Sequence, residues 1–156
     1  MRGFPDLVDI GVSGGRIETV RPDLPEGARE IDAGGCLVSP GFVNLHLHAD
    51  KSLLGEVMRP NVSGTLPEAI EITNEFKRAY DPEEVAQRAG RVLEAGVQNG
   101  TTFFRLFADV GTIGGLRAAQ GLLLAREHFR GLCQIQVVAF PQEGILRDPG
   151  AAELLD

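Results

Sequence analysis

A chain of 156 residues is long enough for one domain with a real core, and its 43% hydrophobic content is that of a globular protein. A net charge of −7 argues against a nucleic-acid partner, because such binders present a basic face. No apolar run approaches the roughly 20 residues of a membrane helix, and the opening MRGFPDLVDI has no signal-peptide core, so a cytoplasmic location is expected.

Leu7 to Val12 alternates, with Val8, Ile10 and Val12 on one face. Ser13-Gly14-Gly15 makes a turn and Arg16 to Val20 alternates again, which predicts a hairpin. Pro22 and Pro25 make Arg21 to Gly27 a loop. Ala28 to Asp32 and Cys36 to Val38 are predicted as two more short strands. Together these suggest a small antiparallel sheet, distinct in style from the remainder of the chain. Cys36 and Cys133 make no disulfide framework and read as buried small apolar residues in a reducing compartment.

Pro40-Gly41 marks a boundary. Phe42 to His48 is apolar on both faces, as a central parallel strand is. Asp50 to Gly64 reads as a long loop. Thr65-Leu66-Pro67-Glu68 has the order of a capping box and opens a helix with Leu66, Ile70, Thr73, Phe76 and Tyr80 at helical spacing. Asp81-Pro82-Glu83-Glu84 opens a second helix, with Val85, Ala89, Val92 and Leu93 on its apolar face and Asn99-Gly100 as its stop. Thr101 to Phe107 is β-branched and aromatic, hence a strand. A helix over about 113–129 is predicted to bury Leu116, Leu123 and Leu124. Gln134 to Phe140 is a third strand, and Asp148-Pro149 opens another helix. The order after residue 40 is that of βαβ units with a parallel sheet, either a (β/α) barrel or a doubly wound sheet.

Parallel α/β folds place their chemistry at the strand exits. His46 and His48 stand at the exit of the first such strand, two residues apart and so on one face. They read as half of a zinc or iron site or as two histidines hydrogen-bonded to backbone. Asp50 and Lys51 come next, as substrate contacts or a local ion pair. Gln142 and Glu143, past the third strand, are either functional or a polar turn. Arg105 and Asp109 read as a structural ion pair, and His128 as a surface residue near a helix end. The stretch Gly111 to Gly115 is no phosphate-binding loop, and there is neither HExxH nor PCxxC.

The segment SPGFVNLHLHADKSL, residues 39–53, resembles the first barrel strand of the amidohydrolase superfamily. Its Asp-Lys-Ser continuation is similar to cytosine deaminase-like enzymes and to triazine-ring amidohydrolases of the N-isopropylammelide type. Val137 to Gly144, VVAFPQEG, is similar to the segment after the third strand of cytosine deaminases. The resemblance implies a partial (β/α)8 TIM barrel, its first three β/α units in residues 40–156, preceded by a small antiparallel β-sandwich portion in residues 1–39. It implies His46 and His48 as ligands of one divalent metal, zinc or iron, and Gln142 as a substrate contact; Asp50 and Lys51 match the motif as further candidates. The implied activity is metal-dependent hydrolysis of C–N bonds in a pyrimidine- or triazine-like ring, a small-molecule heterocyclic substrate.

One motif departs from the pattern: Arg105-Leu106-Phe107-Ala108-Asp109 stands where these deaminases usually carry Arg-Thr-His-Val-Asp. A full barrel needs roughly 250 residues. The acid–base glutamate and the remaining metal ligands that the resemblance implies would fall beyond residue 156. The chain therefore reads as an N-terminal fragment, inactive alone. The alternative is a non-catalytic remnant, or one half of a split or homo-oligomeric assembly.

Overall fold

The computed structural model describes residues 7–156. Its backbone divides into two compact units, one ending at Pro40 and the other spanning Gly41–Asp156. In the first, β1 (Asp9–Ser13) pairs antiparallel with β2 (Arg16–Arg21). Gly14 and Gly15 both have positive φ, the backbone that a two-residue hairpin turn demands. The strands expected over 28–32 and 36–38 are absent: both stretches lack a ladder partner, and a short segment between breakers makes no strand without one. Cys36 is exposed and Cys133 only half-buried, so neither is the core residue expected.

The second unit has the α/β character and parallel sheet that its element order predicts. Strand β3 (Phe42–Leu47) leads through α1 (Leu66–Arg78) and α2 (Pro82–Gln98) to β4 (Thr101–Asp109). Helix α3 (Arg117–His128), β5 (Gln134–Phe140) and the short α4 (Gly150–Glu153) complete it. The strand order is β3-β4-β5, all parallel. The central strand is therefore β4, not β3 as the apolar run suggested. Phe42, Val43 and Leu45 of β3 are more than half exposed.

The core lies between one face of the sheet and α2 with α3. Phe104, Leu106 and Ala108 alternate inward from β4, against Val85, Ala89 and Leu93 of α2 and Ala118, Leu122 and Ala125 of α3. The buried face of α3 is not the leucine stripe expected: Leu116, Leu123 and Leu124 are each about two-fifths exposed. Close approach of α2 decides the matter. A Cβ on Gly121 would sit 2.6 Å from Val85 Cβ and 2.7 Å from the Pro82 carbonyl oxygen, so only the small-residue face of α3 can meet α2. The expected apolar series of α1 holds only toward its end, where Phe76 packs on the core and Tyr80 is buried; Leu66 and Ile70 are exposed, and Ile72 and Lys77 are buried instead. No helix among the described residues is long and apolar enough to cross a membrane.

The capping box does not form as predicted either. Thr65 caps α1 without a side-chain hydrogen bond, and Glu68 reaches past it to accept from the Ser63 backbone N–H at 2.6 Å and the Ser63 hydroxyl at 2.5 Å.

Candidate functional site

The exits of β3, β4 and β5 bring together residues from distant parts of the sequence. The regular β3–β4 register breaks between Asn44 and Leu47. There Asn44 Oδ1 accepts the His46 backbone N–H at 3.2 Å, so a side chain satisfies the donor that the ladder leaves free. Leu47 packs on the core, and the flanking histidines take the other face. Their ring centroids are 5.0 Å apart in an edge-on arrangement. His46 lies 4.4 Å from the ring of Phe107 on β4, and His48 lies 5.2 Å from Phe140 on β5.

His46 is exposed and His48 half-buried. His48 Nδ1 is buried without a hydrogen-bond partner. Burial, then the nearby Lys51 charge, lowers the His48 pKa and favours the neutral ring that binds metals. Two imidazoles in this setting are suitable donors for part of a zinc or iron site. Among the described residues, no group of three or more His, Cys, Asp or Glu side chains is placed to hold a metal ion.

Asp50 and Lys51 sit in a 3-10 turn, Ala49–Lys51, directly after the histidines. Asp50 is fully buried; its Oδ2 accepts the Asp109 backbone N–H at 3.1 Å, while its Oδ1 has no partner. Burial raises its pKa, against the opposing pull of Lys51. Lys51 Nζ donates to Gln142 Oε1 at 2.9 Å and lies 3.0 Å from Asp109 Oδ2. The structure thus brings His46, His48, Asp50, Lys51 and Gln142 to one end of the sheet.

Arg105 does not pair with Asp109. Four residues along a strand span about 13 Å. Arg105 instead donates to Gln136, its partner in the β4–β5 register, at 2.8 Å. His128 is exposed, as expected.

Three residues of the site give little sign of themselves in the sequence. Lys77 of α1 is 4% exposed and lies 2.7 Å from Asp109 Oδ2. It also donates to Glu143 Oε1 at 2.8 Å. Burial works to lower its pKa, and the two carboxylates override it, so the ammonium is held above its ordinary value. Arg88 of α2, equally buried, donates to the carbonyls of Asp50 at 2.8 Å and Ser52 at 2.6 Å. Tyr80 is buried with its hydroxyl unpartnered; burial, then the Asp50 and Asp109 charges, raises its pKa. Lysine was the available clue: both lysines of this arginine-rich chain belong to this cluster. The cavities of about 390 Å³, lined by Arg126, Arg130 and Cys133, and about 230 Å³, lined by Met58, Arg59 and Ile72, contain none of these residues.

No family model matches the chain. It is 34% identical over 154 residues to the N-isopropylammelide isopropyl amidohydrolase of Pseudomonas sp. (strain ADP), covering 96% of this chain and 38% of that protein. The structure is similar to 5-methylcytosine deaminase from Klebsiella pneumoniae liganded with 5-fluorocytosine, with a TM-score of 0.79 and 34% identity over 98% of this chain and 38% of that one. It is also similar to N-isopropylammelide isopropylaminohydrolase from Burkholderia multivorans, with a TM-score of 0.75 and 33% identity over 98% of this chain and 39% of that one. The chain thus spans under two-fifths of the length of these relatives.

Proposed function

We propose that the chain belongs with the amidohydrolase family, to whose members it is similar in sequence and structure, and that it serves metal-dependent hydrolysis of C–N bonds in a pyrimidine- or triazine-like ring. The observation that carries this is the pairing of His46 and His48 on one face, beside a Lys51–Gln142 contact joining the exits of β3 and β5.

In this proposal His46 and His48 hold one divalent metal, zinc or iron. The chemistry supplied at that position is Lewis acidity, which brings the pKa of a water molecule toward neutrality. Lys51 accounts for Gln142 Oε1, so the Gln142 amide keeps its N–H donors for a ring acceptor. Asp50 fixes the turn that presents Lys51, through its bond from the Asp109 N–H. Phe107 and Phe140 flank the histidines with apolar surface that limits water at the reacting carbon.

Strands β3, β4 and β5 are read as the first three of a (β/α)8 barrel, with residues 1–39 in the small β-sandwich that accompanies it. The exposed Phe42, Val43 and Leu45 support further strands closing over this sheet, from the same protein or from a partner chain. The unpaired cysteines suit a cytoplasmic setting.

The test is release of ammonia or alkylamine from cytosine and from an N-alkyl aminotriazine by the protein completed with the remaining barrel strands, with zinc or iron supplied and then chelated. Metal-dependent release of either supports the proposal. Release of neither by that completed, metal-loaded protein overturns it.

A further inference from the structure

Lys77 takes no part in the chemistry of the proposed reaction, yet it is almost fully buried and doubly anchored. Both lysines of the chain approach the same carboxylate oxygen, Asp109 Oδ2: Lys77 at 2.7 Å from the α1 side and Lys51 at 3.0 Å from the turn after β3. Neither approach has the angle of a good hydrogen bond, so these are ion pairs rather than directed bonds. A carboxylate drawn from two sides stays between them. Lys77 also donates to Glu143 Oε1, adjacent in sequence to Gln142. It therefore touches both residues that flank the Lys51–Gln142 contact.

We propose that Lys77 is a positioning residue, fixing Asp109 and Glu143 so that Lys51 Nζ and the Gln142 amide are held together at the strand exits as one substrate contact. The geometric part stands alone; its consequence for substrate rests on the proposed hydrolytic function. Without Lys77, the Asp109 carboxylate is drawn from one side, turns out of its place and no longer fixes Lys51 Nζ, which becomes open to solvent, and Glu143 loses its partner and swings into solvent. Gln142 then lacks the donor that orients its amide. A residue holding only α1 in place would leave Lys51 unaffected.

The experiment labels lysine with 15N, which gives two side-chain ammonium signals, assigned with Lys51→Arg. In the unaltered chain the Lys51 ammonium is protected from solvent exchange. Lys77→Met removes that protection, and Lys77→Arg, which keeps the charge, retains it. In the completed, metal-loaded protein, Lys77→Met raises KM for the heterocycle about tenfold, the worth of one charged hydrogen bond, with kcat changed less. Unchanged Lys51 exchange and KM in Lys77→Met, with only a lower Tm, overturns the proposal. Should Lys77→Met not fold, Glu143→Gln loosens the same anchor from its exposed side. Faster Lys51 exchange there supports the positioning role, and unchanged exchange overturns it. If the completed, metal-loaded protein hydrolyses no heterocycle while Lys77→Met still exposes Lys51, the functional proposal falls and the positioning role stands.

Discussion

Lys51, in the turn after β3, and Gln142, past the end of β5, lie 91 positions apart in sequence and share a 2.9 Å hydrogen bond. The same ammonium is 3.0 Å from Asp109, the last residue of β4, so one lysine joins the exits of all three parallel strands. Lys51→Met keeps most of the aliphatic stem and removes the charge. Asp109 still has Lys77, so the expected loss is that of one charged hydrogen bond, about 1–3 kcal/mol. Urea unfolding measures it. A loss under about 0.5 kcal/mol, the range of an ordinary surface change, would make the contact incidental.

Arg88 supports the same turn from below. It donates to the carbonyls of Asp50 and Ser52, pairs with Glu84, and lies 5.7 Å from the Phe76 ring centroid. Arg88→Met leaves two carbonyls without their donor and Glu84 without its cation. The expected destabilisation is about 1–3 kcal/mol, as for buried acceptors left without a donor. Amide exchange should quicken across residues 49–54 as well as in α2. Faster exchange confined to α2 would deny Arg88 its role in holding the turn.

The contact between α2 and α3 depends on Gly121. Gly121→Val places a branched side chain against Val85 and the Pro82 carbonyl, and overpacking of that kind costs about 1–3 kcal/mol. Leu123→Gln, on the more open face, should cost about 0.5 kcal/mol or less. Thermal or urea unfolding of the two variants compares them directly. The reverse order would mean that the leucine face is the one inside.

That pair of variants also marks where sequence stops being legible. Strand and helix positions in 41–156 could be read from period and breakers, because Pro82, Asn99-Gly100 and the β-branched run at Thr101 act locally. Which face of α3 is buried could not, since the helix is apolar on several sides and the choice is made by how closely α2 approaches. The strands expected at 28–32 and 36–38 failed for a related reason: Gly and Pro breakers are local, but a ladder needs a partner. At the strand exits, the placement of His46 and His48 on one face was legible in their spacing. Lys77 was hidden because its partners, Asp109 and Glu143, lie 32 and 66 residues away, and a lysine on a helix ordinarily reads as solvent-facing.

Glu68 gives a pH dependence with a definite sign. Hydrogen bonds from the Ser63 hydroxyl and the Ser63 backbone N–H, helped by Arg59, lower its pKa from the ordinary 4.5 to about 2. The folded state favours the ionised form, so the contribution is fully present above pH 4.5 and is lost as pH falls toward about 2. Stability against pH, compared with that of Glu68→Gln, isolates it: the two curves should converge as acid is added across that window. Parallel curves would show that the Ser63–Glu68 loop does not discriminate between protonation states.

The histidine pair permits a test by metal retention that needs no substrate. His46 is exposed while His48 carries a buried, unpartnered Nδ1 beside Phe140, so the two alanine variants should differ without metal. His48→Ala should lower Tm, and His46→Ala should leave it nearly unchanged. With zinc or iron present they should behave alike, because each removes one of two imidazole donors. Loss of a mere supporting partner around a metal ligand costs about 10–100-fold in affinity, so loss of a ligand should cost at least that much. Chelator competition with elemental analysis reads the affinity, and His128→Ala, on the exposed end of α3, is the control. Equal retention in the unaltered protein and His46→Ala would show that the paired imidazoles do not bind the metal together.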